Sequence, residues 1–150
     1  MTTSQILLCF VIHILLLFSQ SLATKSERTE GRALVKWKKT LFNTHNLQSW
    51  SIANLDSICW NWSGISCNNG GDVYKIKLDN FSLSGNYALQ GKIPETLCTL
   101  HSLDILDLYL NSLEGPIPQC MGNITSLSVW FVILPYLNEM QNITSKKPAG

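Results

Sequence analysis

A spaced pattern of apolar residues in the second half of the chain constrains its fold more than any other feature. From Leu103 the sequence reads LDILDLYLNSLEGPIPQCMGNITSL. Apolar residues occupy its regular positions, which are Leu103, Leu106, Leu108, Leu113, Ile117, Met121, Ile124 and Leu127. Asn111, Gly115 and Pro118 punctuate the unit. Its length of about 24 residues is a period typical of repeat architectures.

A second copy of the unit precedes the first. One period back from the later copy, equivalent residues stand at Gly91, Ile93, Pro94, Leu97, Leu100 and Leu103. The strand of the earlier copy begins at Val73, which lies six positions further from Leu103 than one period requires. The difference predicts an insertion of six residues at 86–91, read as a bulged loop. The two repeats together span residues 73–126.

Alternating leucines in each unit predict short strands that cannot bury their apolar side alone. Stacked coils solve this problem, since neighbouring strands then form a parallel sheet over one core. The predicted fold class is therefore an α/β solenoid with parallel strands on its concave side. Asn111 is assigned a structural role, because a buried amide can bond backbone groups that the turns leave unpaired.

The segment before the repeats, residues 24–72, is expected to cap the first coil. Leu34, Trp37 and Leu41 follow helical spacing, so residues 27–42 are predicted to form an amphipathic helix. Asn68 begins the strong turn signal NNGG before the first repeat strand. A solenoid needs such an atypical end element, apolar inside and polar outside.

The amino-terminal segment, residues 1–23, is typical of a secretory signal peptide. An apolar run from Ile6 to Phe18 precedes small residues that end at Ala23. The longest later apolar stretch, 127–137, is too short to cross a bilayer. We therefore expect a secreted, extracellular mature chain without a membrane span. The net charge of +1 does not favour nucleic acid as a partner.

Removal of the signal would leave four cysteines, Cys59, Cys67, Cys98 and Cys120, which allow three pairings. Candidate glycosylation sites accompany them at Asn61, Asn80, Asn123 and Asn142. A structural staple is favoured over a reactive site, since seven residues separate Cys59 from Cys67 and no histidine has zinc-ligand spacing. No metal or other cofactor is predicted.

The repeat resembles the plant extracellular leucine-rich repeat, whose L-x-G-x-I-P turn stands here at residues 113–118 and 89–94. The segment CWNWSGISC, with Trp62 near its centre, is similar to the N-terminal cap of plant leucine-rich-repeat receptors. The resemblance implies that Cys59 pairs with Cys67. It also favours a Cys98–Cys120 bond, provided that the two-residue offset between their coils is compact.

The repeat class implies binding through the outward residues of the concave strands rather than catalysis. The candidates for contact with a protein or peptide ligand, or with another receptor ectodomain, are Lys75, Lys77, Asp79, Ile105, Asp107 and Tyr109. Asp104 and Asp107 are interpreted as solvated surface carboxylates instead of an acid/base pair. No general base or phosphate-binding loop is found, so no enzymatic activity is predicted.

The pattern decays in residues 127–150, where Pro135 replaces the repeat asparagine and Val129, Phe131 and Ile133 make the strand apolar on both sides. This departure leaves three hypotheses open. They are an extracellular interaction module, a secreted inhibitor of a wall-degrading hydrolase, and a truncated receptor fragment without independent function. The resemblance places the protein in the apoplast, or at the cell surface if the full gene product carries an anchor.

Overall fold

The computed structural model describes residues 3–79 and 88–132. Helix α1 spans Thr3–Lys38 and the single turn α2 spans Ile58–Asn61. The strands are β1 (Ile65–Cys67), β2 (Val73–Lys77), β3 (Gln90–Lys92), β4 (Ile105–Asp107), β5 (Ser112–Glu114) and β6 (Val129–Phe131). Short 3-10 helices lie at Thr44–Leu47, Ile52–Ser57, Glu95–Thr99 and Gln119–Asn123.

Helix α1 carries the cap's apolar stripe into the core. Leu34 and Trp37 are completely buried, as their spacing predicts. The predicted helix end at Phe42 is wrong, because α1 ends at Lys38. The amide of Phe42 instead donates to the carbonyl of Gln90 at 2.9 Å, so the chain leaves the helix to pair with the first repeat.

The strands predicted by the leucine spacing form one four-stranded sheet in the order β1-β2-β4-β6. β2, β4 and β6 are parallel, with Ile76 opposite Leu106 and Leu106 opposite Trp130. These pairs reproduce the two repeat spacings of the sequence, the longer one between β2 and β4 and the regular one between β4 and β6. The repeat strands are parallel as predicted, and the cap adds β1 antiparallel to β2.

β3 and β5 form a second sheet of two strands, and β3 overlaps the end of the segment 86–91 that was predicted to be a loop. Gly91 is opposite Leu113 in this parallel pair, so Gln90 and Gly91 belong to a strand and not to an insertion. Leu78 corresponds to Leu108 and Leu89 to Leu113, which places the six extra residues between Leu78 and Leu89. The predicted loop was misplaced because the short strand Gln90–Lys92 has no alternating apolar pattern to reveal it.

The core leucines of successive coils are buried in one continuous cluster with the apolar residues of the cap. Asn111 is buried at the turn between β4 and β5. Its Nδ2 donates to the carbonyls of Leu78 at 2.7 Å and Leu108 at 3.1 Å, and its Oδ1 accepts from the amide of Leu89 at 3.0 Å. Asn111 therefore makes the backbone hydrogen bonds that its position in the repeat predicts.

Three tryptophans form the interior of the cap. The ring centroids of Trp37 and Trp50 are 6.1 Å apart, and Trp62 stacks on Trp50 at 5.7 Å. The indole nitrogen of Trp37 donates to the carbonyl of Lys92 at 2.9 Å. Glu30 is buried and its Oε2 accepts from the amide of Val73 at 2.8 Å, where β2 begins. These two bonds tie the cap helix to the repeats.

The four cysteines that follow the signal-like segment are bonded in two pairs. Cys59 and Cys67 have Cα atoms 5.3 Å apart and close the end of the cap. Cys98 and Cys120 have Cα atoms 5.8 Å apart and link successive coils. Each of the latter lies in a 3-10 helix, Glu95–Thr99 or Gln119–Asn123, so the chain between the coils has the compact conformation that this bond requires.

Candidate interaction surface

The side of the four-stranded sheet opposite the buried leucines is the candidate site, and we call it the open face. Its residues are Ser66, Lys75, Lys77, Ile105, Asp107 and Val129, with Asp79 and Tyr109 immediately after β2 and β4. Alternate residues of a strand point to opposite sides, and the intervening Ile76 and Leu106 are fully buried. The sheet thus brings together all six residues that the sequence predicted for contact.

Charges on the open face are arranged by strand. β2 contributes Lys75 and Lys77, and β4 places Asp107 opposite Lys77. Lys77 Nζ lies 3.6 Å from Asp79 Oδ2, in a partly exposed pair of small energetic value. The carboxylate of Asp107 accepts from the amide of Tyr109 at 3.2 Å, which fixes the chain where it leaves β4. A ligand would therefore meet positive charge on one strand and negative charge on the next.

An apolar part lies next to these charges. Ile105 and Val129 are opposite each other on β4 and β6, and Val129 is exposed as its place in the degenerate repeat predicts. Beyond β4, Tyr109 is 44% exposed and Leu110 is 45% exposed. The other residues named in the decayed pattern, Ile133 and Pro135, lie outside the described residues. Aromatic and aliphatic side chains beside a charged rim are typical of protein contact surfaces.

The sequence analysis missed Ser66 of the open face and the exposed Leu110 beside it. Ser66 joins it only because β1 pairs antiparallel with β2, and no repeat pattern marks that strand. Leu110 has a φ of 57°, a left-handed conformation that leucine seldom adopts. In the sequence, only the position of Leu110 directly before the repeat asparagine could have indicated this backbone conformation. The backbone there turns out of β4 so that Asn111 can reach into the core.

Asp104, directly before β4, and Asp107, within β4, both accept hydrogen bonds from neighbouring residues. A carboxylate oxygen of Asp104 accepts from the hydroxyl of Ser128, and Asp107 holds the amide of Tyr109. Both carboxylates are partly exposed. Across residues 3–79 and 88–132, no three histidine, cysteine or acidic side chains are grouped so that they could hold a metal ion. The arrangement suits recognition of a polar and apolar surface.

Comparison with known proteins agrees with the repeat pattern and the cap. Residues 27–68 match the leucine rich repeat N-terminal domain. This chain resembles the amino-terminal end of plant leucine-rich-repeat receptors. A probable leucine-rich repeat receptor-like protein kinase of Arabidopsis thaliana is 32% identical over 117 residues, which are 76% of this chain and 10% of that protein. The chain thus spans a tenth of the length of that leucine-rich-repeat relative.

Two further comparisons extend the leucine-rich-repeat match. Polygalacturonase inhibitor 1 of Oryza sativa subsp. japonica is 27% identical over 138 residues, 91% of this chain and 39% of the inhibitor. The solved structure of the Arabidopsis receptor kinase HAESA, in complex with the peptide hormone IDA and the co-receptor SERK1, aligns with a TM-score of 0.55 at 29% identity. That alignment covers 67% of this chain and 16% of HAESA.

The residues predicted to shape the leucine-rich-repeat turns occupy restricted positions. Gly115 has a φ of 79°, which favours glycine, and an added Cβ would lie 3.3 Å from the side chain of Lys92. Pro118 is buried and directly precedes the 3-10 helix Gln119–Asn123. Trp62 is 3% exposed within the tryptophan cluster. None of these three residues belongs to the open face.

The candidate glycosylation sites of this leucine-rich-repeat chain are divided by the described ranges. Asn61 ends α2 and Asn123 ends the 3-10 helix Gln119–Asn123, and both asparagines are exposed. Asn80 and Asn142 lie outside the described residues. Among the described helices, none is both long and apolar enough to span a membrane.

Proposed function

We propose that this chain is an extracellular protein-interaction module that binds a peptide or another leucine-rich-repeat ectodomain. In this proposal the coils form a short solenoid and the open face is its concave side. The binding role is non-catalytic and the mature chain, released by cleavage after Ala23, acts in the apoplast. The two disulfides and the similarity to receptor ectodomains support an extracellular role.

One observation carries the proposal most directly. Tyr109 is a partly exposed aromatic side chain at the end of β4, beside the charged pair of positions Lys77 and Asp107. Its backbone is held on both sides, because its amide donates to Asp107 and its carbonyl accepts a long bond from Nδ2 of Asn111 at 3.5 Å. An anchor held in place before binding loses little conformational entropy on association. HAESA, a protein of similar fold, has a peptide hormone and a co-receptor as its partners.

The proposal is tested by capturing partners from apoplastic fluid with the immobilised mature chain and identifying them by crosslinking. Tyr109→Ala and Lys77→Glu each remove a feature of the open face, so we expect either change to lower the amount of crosslinked partner by roughly tenfold or more. Glu114→Ala on β5 is the matched control, because that strand belongs to the other sheet. Equal capture by the wild type and both open-face variants would exclude this surface.

A second candidate function is inhibition of a wall-degrading hydrolase. The observation in its favour is the match to a rice polygalacturonase inhibitor, which extends over 91% of this chain. Mixing the purified chain with a polygalacturonase and measuring release of reducing sugar distinguishes the two functions. Inhibition of the hydrolase by the wild-type chain, but not by the Tyr109→Ala variant, would support inhibition through the open face. Unchanged hydrolase activity at saturating chain would eliminate this candidate.

A further inference from the structure

The cap exposes one tryptophan while it buries three. Trp60 in α2 is 86% exposed, although Trp62, only two residues later, lies in the core. An indole left in water forgoes the apolar stabilisation that burial would give, and tryptophan is enriched where a partner or ligand covers it. The residue that follows Trp60 indicates what this covering group is.

Asn61 is the last residue of α2, and it begins the acceptor sequence Asn61-Trp62-Ser63. Its side chain is exposed to solvent next to the exposed indole. Adjacent side chains of a helix do not face each other, but a sugar extends well beyond the side-chain amide that carries it, so the first sugar on Asn61 can reach the indole of Trp60. The C–H face of a pyranose is apolar and packs on aromatic rings.

We propose that Asn61 carries an N-linked glycan whose first sugar packs against the indole of Trp60. In the transfer step, a bond forms between Nδ2 of Asn61 and C1 of the sugar. The bond between C1 and the oxygen of a lipid diphosphate donor breaks, Nδ2 loses a proton and the lipid diphosphate leaves. The sugar then shields the largest apolar side chain that the cap leaves in water. This inference is independent of the binding role of the open face.

Two of the three acceptor residues are engaged once the cap has folded, although Asn61 itself stays exposed. Trp62, its middle residue, is buried against Trp50. The amide and hydroxyl of Ser63 are both bonded to Ser49 Oγ, and its carbonyl accepts from Trp50 Nε1 at 2.9 Å. The Cys59–Cys67 bond closes the loop around it. Glycan transfer to Asn61 must therefore precede closure of this loop.

Occupancy is tested on the chain secreted from plant cells. Release of the glycan with a peptide N-glycosidase in heavy-oxygen water converts an occupied asparagine to labelled aspartate, which mass spectrometry assigns to Asn61. Ser63→Thr keeps the acceptor and the label, and Ser63→Ala loses the label. Asn69→Gln, an exposed asparagine outside any acceptor sequence, leaves it unchanged. An unlabelled Asn61 in wild type and Ser63→Thr would overturn the proposal.

Packing of the sugar on Trp60 is tested by oxidation of indoles with N-bromosuccinimide, read at each tryptophan by peptide mass spectrometry. We expect Trp60 to react several-fold more slowly in the glycosylated chain than in the enzymatically deglycosylated chain. A form trimmed to its first sugar should retain the protection. Equal rates at Trp60 in all three forms would refute the contact, whatever the occupancy of Asn61.

The order of events has its own test. The chain produced without glycan is presented to microsomal membranes and their lipid-linked sugar donor, either oxidised and folded or reduced and unfolded. Transfer to Asn61 is expected in the reduced chain alone. Equal transfer to the folded chain would show that the buried Trp62 and bonded Ser63 do not restrict the acceptor.

Discussion

At the scale of single residues, Asn111 is the strongest link between the repeat sequence and the fold. Replacement by Ala would leave the carbonyls of Leu78 and Leu108 and the amide of Leu89 without their bonds. We expect Asn111→Ala to lower the free energy of unfolding by about 3 kcal/mol, measured in urea, since each buried unpaired group costs about 1–3 kcal/mol. The adjacent exposed Ser112→Ala is the control and should change it little. Equal stability of both variants would contradict this role.

The backbone conformation of Leu110 is predicted to lower the free energy of unfolding. Its φ of 57° is unfavourable for leucine and acceptable for asparagine. Leu110→Asn should therefore raise the free energy of unfolding by about 1 kcal/mol. Tyr109→Asn has nearly the same exposure but no positive φ, and is expected to give no such gain. A urea midpoint that falls for Leu110→Asn would show that leucine packing outweighs the strain.

At the scale of elements, the cap depends on tryptophans that look alike in the sequence and differ in the structure. Trp62→Ala removes a ring stacked on Trp50, so we expect a loss of about 3–5 kcal/mol in thermal or urea unfolding. Trp60→Ala removes a ring that is 86% exposed and should change stability by less than about 0.5 kcal/mol. Comparable losses in the two variants would mean that Trp60 also packs in the cap.

The two disulfides are expected to stabilise the chain to different extents. The chain-entropy relation gives about 3 kcal/mol for Cys98–Cys120, which closes 22 residues, and about 2.5 kcal/mol for Cys59–Cys67, which closes 8. Replacing both cysteines of a pair by serine and measuring urea unfolding checks each value. The two losses should add, because the loops do not overlap. An unchanged free energy of unfolding after removal of the Cys98–Cys120 bond would contradict the stacked arrangement of the coils.

Sequence reasoning found the elements whose burial follows a period. Leu34 and Trp37 in α1, and Ile76 and Leu106 in the main sheet, are buried where their spacing predicts. It missed β1 and β3, since strands of three residues such as Gln90–Lys92 contain no repeating apolar signal. β3 also depends on β5, a partner more distant in sequence. The early end of α1 was missed for the same reason, because the bond from Phe42 to Gln90 competes with the helix.

The candidate surface was predictable only in part. Its six residues on and just after β2 and β4 follow from strand alternation, which the sequence displays. Ser66 and Leu110 do not, because one depends on an antiparallel pairing and the other on a turn conformation. Surface position alone also says nothing about the partners of a side chain, and only the structure shows that Asp104 accepts from Ser128 and Asp107 from the amide of Tyr109.

At the scale of the whole molecule, the cap and the coils share one core. Among the hydrogen bonds that cross its layers, three join successive layers in turn. The amide of Val73 donates to Glu30 of the cap, that of Asp104 to Tyr74 of β2, and that of Ser128 to Asp104. If the core is continuous, these amides open together, since cooperative units unfold as one. If the cap and the coils unfolded independently, these amides would open in separate steps.

Hydrogen exchange of the secreted mature chain, followed by mass spectrometry through a urea series, measures this directly. If the core is continuous, the amides of Val73, Asp104 and Ser128 are strongly protected in water and lose protection at one common urea concentration. Exchange of Asp104 and Ser128 at the rate of an unfolded peptide, while Val73 stays protected, would show a folded cap attached to unfolded coils and would contradict the account.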